Sequence, residues 1–78
     1  MGAPLAEMEK DQVVKVTAFE SGQAMKKRLK DMGILVNDIV IIVKNDKKGP
    51  VIVKAKGAEI VLGRGVSEKI MAEVIDEQ

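Results

Sequence analysis

The chain predicts a mainly β protein: a small five-stranded barrel with one α-helix inserted between the first and second strands and a short helical turn before the fifth. Three observations carry this prediction. Short runs rich in valine and isoleucine are separated by turn residues at brief intervals. One segment switches from a period of two to helical spacing. The 78 residues leave room for one core and no second lobe, a length that buries only about 60% of the unfolded surface. Curling so short a set of strands into a barrel removes exposed sheet edges. Residues 1–78 thus read as one domain, with an ordered core over about 5–75 and fraying confined to the tips.

The elements follow in order. Leu5 and Met8 lay apolar side chains over one end of the core. Gln12–Phe19 reads as a strand, with Val14, Val16 and Ala18 on one face and Lys15 and Thr17 on the other. After Ser21-Gly22 the period changes, and Met25, Leu29 and Met32 share one face of a helix from about Gln23 to Met32. Ser21 suits its N-cap and Gly33 the left-handed residue just past its end, while Lys30 favours the C-terminal dipole. Asp38–Lys44 is so rich in isoleucine and valine that both faces are expected to be at least partly buried. Asn45 to Gly49 forms a polar turn, and Pro50 stands at the mouth of the next strand, where its missing N–H does no harm. Val51–Ala55 and Glu59–Leu62 are strands joined by a tight turn at Lys56-Gly57. Gly63-Arg64-Gly65 breaks the pattern, a helical turn follows around Val66–Ile70, and Ala72–Ile75 closes the chain as the last strand.

The composition excludes several function classes. With no cysteine and no histidine, the chain cannot build Cys–His pairs, histidine-dependent triads or zinc fingers. Ser21 and Ser67 have no histidine base, and Gly63 and Gly65 extend to neither a Walker nor a dinucleotide motif, so the chain is not expected to be an enzyme. The 13 Lys and Arg residues against 12 Asp and Glu give a net charge of +1, too small a field to recruit nucleic acid or anionic lipid. Phe19 alone offers no stacking platform for single strands and no aromatic groove for Pro-rich peptides. The longest apolar run, Ile39 to Val43, is far below the roughly 20 residues of a membrane helix. Neither a signal peptide nor a myristoylation pattern opens the chain, and a cytoplasmic location without membrane insertion is expected.

What remains is binding. Oxygen ligands alone are left for a metal: Glu20 and Gln23 lie three apart at the helix entrance, and Asp76 and Glu77 end the chain. Such a set suits weak binding of Fe2+ or another divalent ion and no tightly bound cofactor, since selectivity usually comes from imidazole or thiolate. Solvated surface charge is the simpler account of these carboxylates, and core packing that of Met25 and Met32. The basic run Lys26-Lys27-Arg28 with Lys30 reads first as the solvated face of an amphipathic helix and second as a contact for an acidic partner.

The order of motifs resembles one family. Arg28-Leu29-Lys30-Asp31-Met32-Gly33-Ile34 followed by Asn37-Asp38-Ile39-Val40 looks like the helix-to-strand signature of the ferrous iron transport protein A (FeoA) family. Gly49-Pro50-Val51 and Ile60-Val61-Leu62-Gly63-Arg64 match its third and fourth strands, and Ile70 to Ile75 its last turn and strand. Asn37 stands where that family usually has glycine, a position where asparagine can adopt the left-handed backbone. The resemblance implies an SH3-like barrel and a cytoplasmic accessory role in bacterial ferrous iron uptake, through contact with the FeoB-type membrane GTPase transporter. The same domain type ends the diphtheria-toxin-repressor-like metalloregulators, whose DNA-binding helices this chain lacks. On this reading the expected docking surface joins Lys26, Lys27 and Lys30 on the helix with the neighbouring loop Asp46, Lys47, Lys48, Gly49 and with Arg64. A metal-binding regulatory domain using Glu20 and Gln23 is the alternative. A nucleic-acid-binding barrel built on the basic turn within Val43 to Val51 ranks last, because the net charge is nearly neutral.

Overall fold

A computed structural model of the chain describes residues 2–20 and 22–75, so the expected N-cap Ser21 and the carboxylates Asp76 and Glu77 lie outside the described residues. In chain order the elements are β1 (Ala3–Pro4), a 3-10 turn (Leu5–Glu7), β2 (Val13–Phe19), α1 (Gln23–Met32), β3 (Ile39–Asn45), β4 (Val51–Ala55), β5 (Ala58–Leu62), α2 (Arg64–Ser67) and β6 (Ile70–Val74). The strands form one six-stranded antiparallel sheet in the order β1-β6-β2-β3-β4-β5. The five strands and two helical segments expected from the sequence are all present. The two-residue strand Ala3–Pro4 is an addition that no periodicity could signal.

Alternation dictates which side chains turn inward. Val14 and Val16 of β2, Val40 and Ile42 of β3, Val51 and Val53 of β4, Leu62 of β5 and Ile70 and Ala72 of β6 all bury completely or nearly so. They share one cluster with Leu5 and Met8 from the N-terminal segment and Leu29 from α1. Each fully buried Val, Leu or Ile contributes about 1.5–3 kcal/mol of transfer free energy, and every long strand supplies some of it. Two register shifts, between Val16 and Ala18 and between Ile42 and Lys44, add local twist that helps the sheet curl around this cluster.

α1 begins after Gly22 without a side-chain cap and ends as the glycine requires. Gly33 has φ 98, its N–H bonds the Lys30 carbonyl at 3.0 Å and the Ile34 N–H reaches back to the Leu29 carbonyl at 2.8 Å. That pair of bonds satisfies carbonyls the helix would otherwise leave open. Asn37 is left-handed too, at φ 79, and its N–H bonds Val16 O at 2.7 Å. The β4–β5 turn places Lys56 at φ 53 and Gly57 at φ 82, the two positive values of a two-residue hairpin turn whose twist matches its strands.

Three expectations need correction. β3 does not bury both faces: Ile39 is 55% exposed and Ile41 42%, because α1 sends Leu29 into the core and leaves the outer face of the sheet bare. Gly63-Arg64-Gly65 is no mere break. Gly63 is extended, its carbonyl accepts the Ser67 N–H at 2.9 Å, and the helical turn begins at Arg64, two residues before its expected start. β6 accordingly starts at Ile70. Finally, the hydrogen-bonded ladder has two ends, β1 and β5, so the barrel does not remove every edge.

Candidate interaction surface

Side chains, rather than a ladder, join the two ends of the sheet. Arg64, just past β5, points its guanidinium into a set of internal acceptors: Nε donates to Gly49 O at 3.0 Å, Nη1 to Ala6 O at 3.2 Å and Nη2 to Asn45 Oδ1 at 2.8 Å. Asn45 Nδ2 donates to the carbonyls of Ala6 and Met8 at 2.8 and 2.7 Å. The carbonyls after β1 are thereby tied to β3 and to the segment leaving β5. Beneath, the fully buried Ser67 hydroxyl donates to Arg64 O at 2.8 Å and holds the α2 turn. The sequence expects Asn45 to open a turn. It is the last residue of β3 instead, and its amide carries this junction, a role visible only once residue 6 and residue 64 are brought beside it.

The expected docking residues fall into two groups. Asp46, Lys47, Lys48 and Gly49 lie beside Arg64, with Lys44 and Asp46 paired at 3.6 Å and Lys47 Nζ donating to Glu7 O at 3.4 Å. Lys26, Lys27 and Lys30 are exposed on α1. α1 leads into the start of β3 and the Asp46–Gly49 loop leaves its end, so the two groups lie at opposite ends of a strand about 20 Å long. They do not form the single neighbouring surface expected. Arg64 is half-buried and its guanidinium is committed to internal bonds, unlike the three lysines of α1.

From the last residue of α1 onward the chain exposes large apolar side chains, among them Met32, which the sequence places in the core. Met32 is 36% exposed, Leu35 40%, Val36 42%, and these lead into the outer positions Ile39 and Ile41. The loop that carries them is fixed: the Asp38 carboxylate accepts the Leu35 N–H at 2.9 Å and pairs with Lys56 at 3.3 Å. The sequence carries no signal for this, because Ile39 to Val43 is apolar on both faces and only the absence of a covering element exposes Ile39 and Ile41.

Glu20 and Gln23 are both exposed at the entrance to α1. Among the described residues no group of three His, Cys, Asp or Glu side chains could hold a metal ion. An open cleft of about 380 Å³ lies between β1, the 3-10 turn and β6, with Glu7, Glu9 and Glu73 on its walls. No helix among the described residues is long and apolar enough to cross a membrane.

The geometry defines a small SH3-like barrel whose polar network serves to close its own ends and whose exposed features are a lysine-bearing helix and a bare apolar face. The FeoA domain profile matches residues 3–74, and the chain belongs to the FeoA family, that of ferrous iron transport protein A. It is 37% identical over 70 residues to a Methanocaldococcus jannaschii protein named as an Fe(2+) transport protein A, spanning 90% of this chain and 84% of that one. Among solved structures it resembles a FeoA-like protein from Clostridium acetobutylicum, at 26% identity and a TM-score of 0.84, over 99% of this chain and 91% of that one. A manganese-dependent transcriptional repressor shares the fold at 14% identity and a TM-score of 0.85, with 95% of this chain matching 42% of the repressor.

Proposed function

We propose that this chain is a non-catalytic, cytoplasmic accessory of ferrous iron uptake that acts by docking on the cytoplasmic part of a FeoB-type membrane GTPase. Membership of the ferrous iron transport protein A family is the observation that carries this reading. Two observations support one surface over the other. Lys26, Lys27 and Lys30 project from α1, and the same stretch of chain continues into exposed Met32, Leu35, Val36 and Ile39. An apolar centre bordered by cations fits an acidic protein surface with an apolar patch of its own. The Asp46–Gly49 loop, at the other end of β3, is a separate and smaller contact.

No resident metal or cofactor is part of this proposal. The donors available are scattered carboxylates and amides, and iron enters as the transporter's cargo. Binding is tested by pull-down of the chain with the cytoplasmic portion of the transporter under reducing, nucleotide-bound conditions. The wild type should be retained. Lys26→Glu with Lys27→Glu and Lys30→Glu, or Ile39→Ser with Leu35→Ser, should each lower retention about tenfold or more, equivalent to about 1.4 kcal/mol or more. Lys47→Glu with Lys48→Glu should change it little. Absence of any wild-type binding would remove the proposal.

A further inference from the structure

The hairpin register shows which backbone groups of β5 have no partner. Lys56-Gly57 is a two-residue turn, so Ala55 and Ala58 form the closing hydrogen-bonded pair. In an antiparallel ladder bonded and non-bonded pairs alternate. Ile60 and Leu62 therefore bond Val53 and Val51, while Glu59 and Val61 sit opposite Lys54 and Ile52 in non-bonded pairs. The N–H and C=O of Glu59 and Val61 point away from β4, to the outer edge of the sheet, where no strand lies among the described residues. Gly63 continues in extended conformation at φ −59 and ψ 155, with its carbonyl held by Ser67 and its N–H unpartnered among the described residues.

This edge carries few of the usual protections against pairing, with Glu59 its single charged side chain. It has no proline and no lysine, and no bulge interrupts its pairing with β4. Val61 is the most exposed large apolar side chain described, at 58%. The free groups are also self-complementary. When two copies run antiparallel about a two-fold axis at Val61, the two Val61 residues exchange N–H to C=O bonds, and each Gly63 N–H meets the Glu59 carbonyl of the other copy. The side chains agree with that register. Lys44, Ile52 and Val61 form one row across β3, β4 and β5 on the outer face. The two-fold joins it to its copy as an apolar row Ile52-Val61-Val61-Ile52, with a lysine at each end. Opposite Glu59 falls Gly63, which has open space at its Cβ position and offers no clash.

We propose that the outer edge of β5 pairs with the same edge of a second copy of this chain, with Val61 opposite Val61 at the two-fold. A contact of so few residues buries far less than the about 1,200 Å² of stable complexes, so the dimer is weak and depends on concentration.

Sedimentation velocity of the full chain from about 10 μM to about 1 mM, a span suited to weak association, tests this. The mass should rise from monomer toward dimer at the upper end. Val61→Lys places like charges at the axis, and Val61→Pro deletes an outward N–H that the intrachain ladder does not use. Both should remain monomeric throughout while unfolding with transitions as cooperative as the wild type's. Hydrogen exchange should show the Val61 and Gly63 amides slowing as concentration rises. A wild-type chain that stays monomeric at the highest concentration overturns the proposal, as does dimerisation of both variants. Protection of these amides in a monomeric chain by an added extended peptide would assign the edge to a different partner and equally overturn it.

Discussion

The two ends of the sheet are treated in opposite ways. At β1 the edge is two residues long, contains Pro4 and turns at once into the Leu5–Glu7 helical turn, so it offers almost nothing to an incoming strand. The carbonyls of Ala6 and Met8, just after it, are taken by Asn45 and Arg64. At β5 five residues run free of bulge and proline, with the exposed Val61 next to the last of them. The same sheet thus has one end locked by side chains and one end open. The difference separates a junction that serves stability from an edge left open for pairing. Substitutions at the β1 junction should act on folding, and those on the β5 edge on association.

The largest expected effect breaks the locked end. Arg64→Ala removes three hydrogen bonds from a charged donor and leaves part-buried acceptors at Ala6, Gly49 and Asn45. A loss of about 2–4 kcal/mol is expected, read as a fall in the urea midpoint, with faster amide exchange of the segment around Met8. Asn45→Asp should come next. It keeps shape but deletes the two donations to Ala6 and Met8 while retaining an acceptor for Arg64. About 1–3 kcal/mol is expected from the Met8 carbonyl left unpaired and the Ala6 carbonyl left with Arg64 alone, by the same denaturation measurement. A denatured-state midpoint unchanged in either variant would mean that the junction does not hold the β1 end.

The open end responds less. Gly57→Ala forces a side chain onto a residue at φ 82 in the turn that builds the β4–β5 hairpin. It should cost about 1 kcal/mol and raise exchange at Ile60 and Leu62 before any residue of β2. Val61→Thr touches only the exposed face and should shift stability by less than about 0.5 kcal/mol. A larger effect on thermal unfolding would show that the β5 edge is part of the fold's own support and would erase the contrast.

Much of this fold was legible because its determinants are local. The alternation from Val13 to Val16, the helical spacing of Met25, Leu29 and Met32, and glycines at 33 and 57 each specify a conformation through their immediate neighbours. Ala18, expected on the face of Val14 and Val16, is instead exposed because the register shifts after Val16. Misreadings came where a residue's meaning depends on distant chain. Ile39 and Ile41 look like core by composition, and they are exposed because no element crosses the outer face of β3. The docking set combined the α1 lysines with the Asp46–Gly49 loop, and the length of β3 separates them. Arg64 looked like a free surface cation next to glycines. Its guanidinium instead closes the molecule on a carbonyl at residue 6.

By itself the sequence determined the class of fold and, through the order of its motifs, the family, because backbone preferences and side-chain periodicity are properties of short windows. Tertiary structure alone decided which sheet end is tied and which is open. An acceptor 58 residues away in the chain, and an edge left without a neighbour, exist only after the sheet has curled.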